Sequence, residues 1–147
     1  MRIEIWSDVV CPWCYIGKRR LERALGQFEH AADVEVTWRS FQLNPDTPPG
    51  TAVPTLDYLA RRFGPQATSM TTRVADLAKA EGLDFDFGAA LTVNTLDAHR
   101  LLHLAADVGV GGAAKERLLR ALSGAQSAET FLHALRTAYA AEDAAAR

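Results

Sequence analysis

The sequence predicts an α/β chain whose opening segment is a strand–helix–strand unit and whose remainder is helical. Three observations carry this. Residues 2–7 set Ile3, Ile5 and Ser7 against Arg2, Glu4 and Trp6, the two-residue period of a strand. Residues 34–41 repeat the pattern, with Val34, Val36 and Trp38 on one face and Glu35, Thr37 and Arg39 on the other. Between and after these segments, apolar residues recur every three or four positions, as on helix faces. At 147 residues, the chain has the length of one domain with one core.

The first helix is expected over residues 12–28, with Leu21, Leu25 and Phe28 on its apolar side. Pro12 suits a first turn, where its missing N–H would have no partner. Lys18, Arg19, Arg20 and Arg23, like Arg61 and Arg62, read as solvated helix faces. Strand–helix–strand order implies a parallel pair. Residues 44–50, Asn-Pro-Asp-Thr-Pro-Pro-Gly, form a loop. From Leu56 onward only helices are expected: residues 58–63, a helix marked by Met70, Val74, Leu77 and Ala78, and, after a loop at 82–88, residues 94–108 with Leu101, Leu104 and Ala105 inward. Residues 115–122 and 129–141 follow, the last carrying Phe131, Leu132, Leu135 and Tyr139, before an Ala-rich tail over 142–147 expected to fray. Two strands are few for a parallel sheet, which is ordinarily covered on both faces.

Sixteen Lys and Arg against 18 Asp and Glu give a net charge of -2, which supplies no electrostatic pull toward nucleic acid or an anionic membrane. Glu4 and Asp8 interrupt the apolar run of about 7–15 residues that a signal peptide needs. No segment approaches the ~20 apolar residues of a membrane span. The expectation is a cytoplasmic protein with neither nucleic-acid nor membrane partners. A structural disulfide is not expected in that compartment.

The two cysteines stand as Cys11-Pro12-Trp13-Cys14, where the first strand feeds the first helix. A Cys-x-x-Cys at such a junction is the redox form of the motif. Unpaired N–H groups and the positive end of the helix dipole favour a thiolate there, and the thiolate is the species that attacks disulfides. Cys14, one turn on, is placed to resolve the mixed disulfide. This chemistry needs no metal and no organic cofactor. Two other readings stay open: buried structural thiols, and zinc, with His99 and His103 supplying the second pair of ligands.

The run Ser7-Asp8-Val9-Val10-Cys11-Pro12-Trp13-Cys14-Tyr15-Ile16-Gly17 resembles the FrnE-like branch of the DsbA-family dithiol oxidoreductases in the thioredoxin superfamily. That branch is related to 2-hydroxychromene-2-carboxylate isomerases and kappa-class glutathione transferases. Further matching stretches are Phe41-Gln42-Leu43-Asn44-Pro45, Tyr58-Leu59-Ala60-Arg61-Arg62-Phe63-Gly64, Gly82-Leu83-Asp84-Phe85-Asp86, Asn94-Thr95-Leu96-Asp97-Ala98-His99-Arg100-Leu101 and Ser123-Gly124-Ala125-Gln126. The resemblance implies one thioredoxin-like domain over residues 1–147 with an all-helical insertion at 56–122. It implies Cys11 as nucleophile and Cys14 as resolving thiol, with Pro12 and Trp13 tuning the thiolate. Asn44, Asn94 and Asp97 fall in stretches near the family's active site and are candidates for contact with substrate or with glutathione as co-substrate. Their plainer reading is loop and cap chemistry, since Asn94 is a good N-cap for the helix after it. The isomerase and transferase relatives carry Ser in place of Cys11, so both cysteines together favour dithiol chemistry.

One departure stands out. The family carries a further helical stretch and a cis-proline segment before Ser-Gly-Ala-Gln, whereas here Leu118-Leu119-Arg120-Ala121-Leu122 runs straight into Ser123. The sheet would then lack its last hairpin and leave an open edge beside Val34, Val36 and Trp38. An internally deleted, impaired relative, a homodimer or another chain that completes the sheet, and a longer native gene product all fit this. The functional expectation is thiol–disulfide exchange with a thiol or disulfide substrate. Its competitors are an idle scaffold or interaction protein and a glutathione-dependent isomerase or transferase.

Overall fold

The two alternating segments pair as expected. In a computed structural model, which describes residues 1–122, β1 (Arg2–Ser7) and β2 (Glu35–Ser40) run parallel, with Ile3 opposite Val36, Ile5 opposite Trp38 and Ser7 opposite Ser40. The crossover between them is α1 (Pro12–Leu25) and a 3-10 turn at Ala31–Asp33. A right-handed chain can return to a parallel neighbour only through such a crossover. Helix α1 stops three residues before Phe28, at Gly26, and Phe28 lies against His30 instead.

Two strands escaped the sequence reading. β3 (Ala52–Pro54) and β4 (Leu91–Val93) form a separate antiparallel pair, with Val53 opposite Thr92. The stretch expected to be all-helical over 56–122 therefore contains a strand. Each segment is three residues long, too short to display a two-residue period, and Pro54 carries a breaker signal. Among the described residues, the chain has four strands in two two-stranded sheets and no cis peptide bond, Val53–Pro54 included.

Helices α2 (Thr55–Phe63), α3 (Gln66–Ala80), α4 (Leu96–Asp107) and α5 (Gly111–Arg120) make up the rest. The core joins α1 to this set: Tyr15 and Ile16 of α1 pack with Val74 and Ala78 of α3, Leu83 in the loop after α3, and Leu119 of α5, flanked by Leu77, Phe85 and Phe87. Burying a side chain such as Ile16 or Leu119 contributes about 1.5–3 kcal/mol, so α1 is held from two sides. Two expected core residues face outward: Met70 and Leu104 are exposed, whereas Val74 and Ala105 are buried.

The basic cluster of α1 also differs from the expectation of a solvated face. Lys18 is buried, bonded to Glu22 and to Glu116 of α5, whose other oxygen accepts from Arg19 and, at 2.6 Å, from the Tyr15 hydroxyl. Arg20 and Arg23 converge on Glu81 at the end of α3. This face of α1 is therefore the ion-paired seam to α3 and α5. Arg61 and Arg62 stay exposed on α2. The Ser123-Gly124-Ala125-Gln126 stretch, the helix expected over 129–141 and the tail lie outside the described residues.

Candidate active site

The strand–helix junction is built by backbone geometry. Cys11 is the N-cap of α1, in extended conformation (φ -86°, ψ 110°), and Pro12 takes the first helical position. The Cys11 carbonyl accepts from the amides of Cys14 at 3.1 Å and Tyr15 at 3.3 Å, and the Cys11 amide donates to the Asp8 carbonyl at 3.3 Å. The bend between β1 and α1 is thus closed on itself, and it points both thiols at the positive end of the helix.

Asp8 fixes this bend to the rest of the molecule. Its carboxylate is buried, and Oδ1 accepts from the Val9 amide at 2.8 Å and pairs with His99 Nε2 at 3.1 Å. Oδ2 accepts from the Leu43 amide at 2.7 Å. Burial alone would raise the Asp8 pKa, but the bonds from His99, the Leu43 amide and Thr95 outweigh it and hold the carboxyl below its ordinary value. One side chain therefore ties the redox bend to α4 and to the loop after β2. His99 also lies 3.1 Å from the Phe41 carbonyl, and His103 bonds Ser40 Oγ at 2.8 Å. The zinc reading would need these histidines turned toward the cysteines. Instead both are committed to the loop and β2, and among the described residues no three His, Cys, Asp or Glu side chains gather in a metal-binding group.

The two thiols are free, partly exposed and bonded to each other. Cys14 is lowered to about 6, first because the Cys11 S–H donates to its sulfur, then because the Asp8 amide, the Ser7 hydroxyl and the Lys115 charge favour its thiolate against the cost of burial. Cys11 is raised, because its proton is engaged in that bond and because a second ionisation would set two negative charges side by side, though the amides of Cys14 and Trp13 favour its anion. The first negative charge on the pair is thus favoured and a second opposed. Sequence reasoning placed the low value on Cys11 alone; the dithiol as a unit carries it.

Of the two cysteines, Cys11 lines a cavity of about 160 Å³ between the bend and α2, walled mainly by apolar side chains including Leu59, Phe85, Leu91 and Leu119. Asn44 and Tyr58 give this cavity a polar edge, the Tyr58 hydroxyl donating to Asn44 Oδ1 at 2.7 Å. Pro12 lines it too, while Trp13 is half-exposed on the outer side of the first turn.

The remaining sequence candidates divide. Asn94 serves the local fold: its Nδ2 donates to the Thr47 carbonyl at 2.6 Å and its Oδ1 accepts from the Leu96 amide at 2.9 Å. It caps α4 from one position before Thr95, the N-cap residue. Asp97 lies in solvent, paired with Arg100 at 3.0 Å, and the structure does not bring it to the thiols. Asn44 alone of the three reaches the cavity. The residues that sequence reasoning passed over are Ser7, Asp8, Tyr58 and Lys115. Ser7 and Asp8 adjoin the motif and carried that signal, whereas Lys115, 101 positions beyond Cys14, carried none.

The comparisons with known proteins bear on the fold and the family. The sequence model of the DSBA-like thioredoxin domain matches residues 2–144. The crystal structure of a probable DsbA oxidoreductase from Streptomyces coelicolor superposes with a TM-score of 0.84 at 35% identity, over 97% of this chain and 68% of that one. An uncharacterised Bacillus subtilis protein, YwbO, is 41% identical over 49 residues, a match spanning 33% of this chain and 22% of that relative. With a family match over nearly its whole length and a fold shared with the probable DsbA oxidoreductase, the chain belongs to the DsbA-like thioredoxin domain family.

Proposed function

We propose that this protein is a thiol–disulfide oxidoreductase that exchanges disulfides through Cys11 and Cys14. The observation that carries the reading is the dithiol itself: two free thiols at the N-terminus of α1, with Cys11 bordering a cavity. The Cys11 thiolate attacks a substrate disulfide, forms the Cys11–substrate bond and expels one substrate sulfur as thiolate. Cys14, deprotonated, then attacks Cys11 Sγ, breaks the mixed disulfide and expels the second substrate sulfur. The substrate gains two electrons and two protons, and the protein ends as the Cys11–Cys14 disulfide. Run backward, the same steps oxidise a dithiol substrate. Either direction uses only the two sulfurs and a second thiol couple, such as glutathione, to restore the starting state.

Pro12 and Trp13 shape the approach to Cys11, Pro12 by fixing the first turn and Trp13 by its exposed ring. Asn44 offers a polar contact at the cavity edge. The likeness to the FrnE-like branch supports dithiol exchange.

The test is reduction of a small chromogenic disulfide with glutathione as electron donor. Wild type is expected to turn over faster than an equal concentration of free dithiol, and Cys11→Ser to be inactive. Wild-type rates no higher than the free dithiol would remove the enzyme reading and leave the scaffold reading.

A further inference from the structure

Lys115 is an oddity in the described structure. It sits in the first half of α5, 3% exposed, with its ammonium among protein atoms. Burying a charge is costly unless another charge or a set of hydrogen bonds answers it. The other buried lysine, Lys18, has two carboxylates. Among the described residues, no carboxylate lies within ion-pair distance of Lys115. Its Nζ instead donates to Ser7 Oγ at 3.1 Å and lies 4.6 Å from the centre of the Trp38 ring. The Ser7 hydroxyl, 1% exposed, ends β1 at the bend that carries the cysteines, and it and the Lys115 charge both favour the Cys14 thiolate. The buried ammonium–hydroxyl pair therefore stands beside the dithiol.

We propose that Lys115 is the counter-charge of the dithiol, a positioning residue for thiol–disulfide exchange that acts beside Ser7 on the thiolate the exchange requires. The proposal rests on the exchange reading above and deepens it. When the dithiol is reduced, Lys115 faces an anion across Ser7. When the Cys11–Cys14 disulfide forms, that anion is gone and the ammonium keeps only Ser7, the Trp38 ring and the more distant Asp8. Lys115 thus favours the reduced state and makes the disulfide the better oxidant. The other charges facing this cluster are accounted for. Asp8 is itself committed to His99 and two amides, and Lys18, the one like charge acting on Lys115, is neutralised by Glu22 and Glu116.

The experiment is the pH profile of iodoacetamide alkylation of the reduced protein, for wild type, Lys115→Met and Ser7→Ala. Thermal unfolding of each variant establishes that it is folded. Loss of a unit charge one hydroxyl away is expected to raise the alkylation midpoint by about one pH unit or more. The equilibrium with glutathione should move roughly fivefold toward the protein disulfide near neutral pH. Ser7→Ala should shift the midpoint the same way by less. Should Lys115→Met fail to fold, Ser7→Ala decides alone: an upward shift supports the proposal and an unchanged midpoint overturns it. A folded Lys115→Met with the wild-type midpoint also overturns it, leaving Lys115 a packing residue for Trp38. Because alkylation needs no substrate turnover, this result stands apart from failure of the exchange reading, which shows as absent wild-type turnover.

Discussion

Replacing Asp8 with Ala removes one buried carboxylate and, with it, the partners of three groups at once. The Val9 amide, the Leu43 amide and His99 Nε2 all converge on its two oxygens, at 2.7–3.1 Å. His99 retains the Phe41 carbonyl, so its loss is partial. Neither amide has another acceptor in the described structure; the Val9 bond is buried and the Leu43 bond partly so, and an unsatisfied buried donor costs about 1–3 kcal/mol. Removing one partner of a buried charged network costs about 3–5 kcal/mol. With two amides at the lower end of their range and a weakened His99, the expected loss is about 3–4 kcal/mol. For a chain of this length, that is a fall in Tm of roughly 6–16 °C. Asp8→Asn keeps one acceptor oxygen and should lose less. The assay is urea unfolding followed by tryptophan fluorescence, with Tm as a second measure.

The pH dependence of the same variant supplies the sign. Because the folded Asp8 carboxyl is held below its unfolded value of about 3.9, its contribution is fully present above that value. It is lost as pH falls through the lower folded value. Wild type should therefore lose stability more steeply than Asp8→Asn below pH ~4. A loss under about 1 kcal/mol in Asp8→Ala, or parallel acid limbs for wild type and Asp8→Asn, would refute the reasoning that Asp8 pins the redox bend.

Three further outcomes are expected. Leu119→Ala, at a position 2% exposed where α5 meets α1 and α3, should cost about 2–5 kcal/mol in urea unfolding, and a loss below ~1 kcal/mol would contradict the described core. Glu116→Ala removes the acceptor shared by Tyr15, Lys18 and Arg19; its side chain is 24% exposed, so the expected cost is about 2–3 kcal/mol, short of the fully buried case. Alkylation of the reduced wild-type dithiol should rise with pH around a midpoint near 6, the lowered value at Cys14, and a midpoint at the ordinary ~8.5 would mean that the junction does not stabilise a thiolate.

Much of the fold was legible wherever a long period could speak. Residues 2–7 and 34–41 each gave three clean alternations, and they pair in the parallel register that a crossover helix requires. The helices between Thr55 and Arg120 also lie where apolar spacing placed them, although Met70 and Leu104 face outward and α5 begins at Gly111 rather than at residue 115. What failed was short or depended on distant partners. β3 and β4 have three residues each, and their pairing joins positions 52–54 with 91–93, which no local pattern encodes. Lys18 looked like a solvated helix residue because nothing near it reveals that Glu116, 98 positions away, would cover it. The site divides in the same way. Cys11 and Cys14 announced themselves by spacing and position, and Pro12 by its helix-start chemistry. Lys115 and the His99–Asp8 pair reach the thiols only through tertiary packing, so composition and spacing were silent about them. Asp97 illustrates the reverse error: it lay in a matching stretch, yet its carboxylate pairs locally with Arg100 in solvent.

The most direct test of the central claim is to trap the exchange intermediate. Cys14→Ser and Cys11→Ser variants are incubated with a disulfide-bearing peptide and read by intact mass. The account predicts that Cys14→Ser accumulates a mixed disulfide at Cys11, that wild type passes through it to release reduced peptide, and that Cys11→Ser traps little. Equal trapping at either cysteine, or none at Cys11 in a folded Cys14→Ser protein, would contradict the assignment of Cys11 as the attacking sulfur.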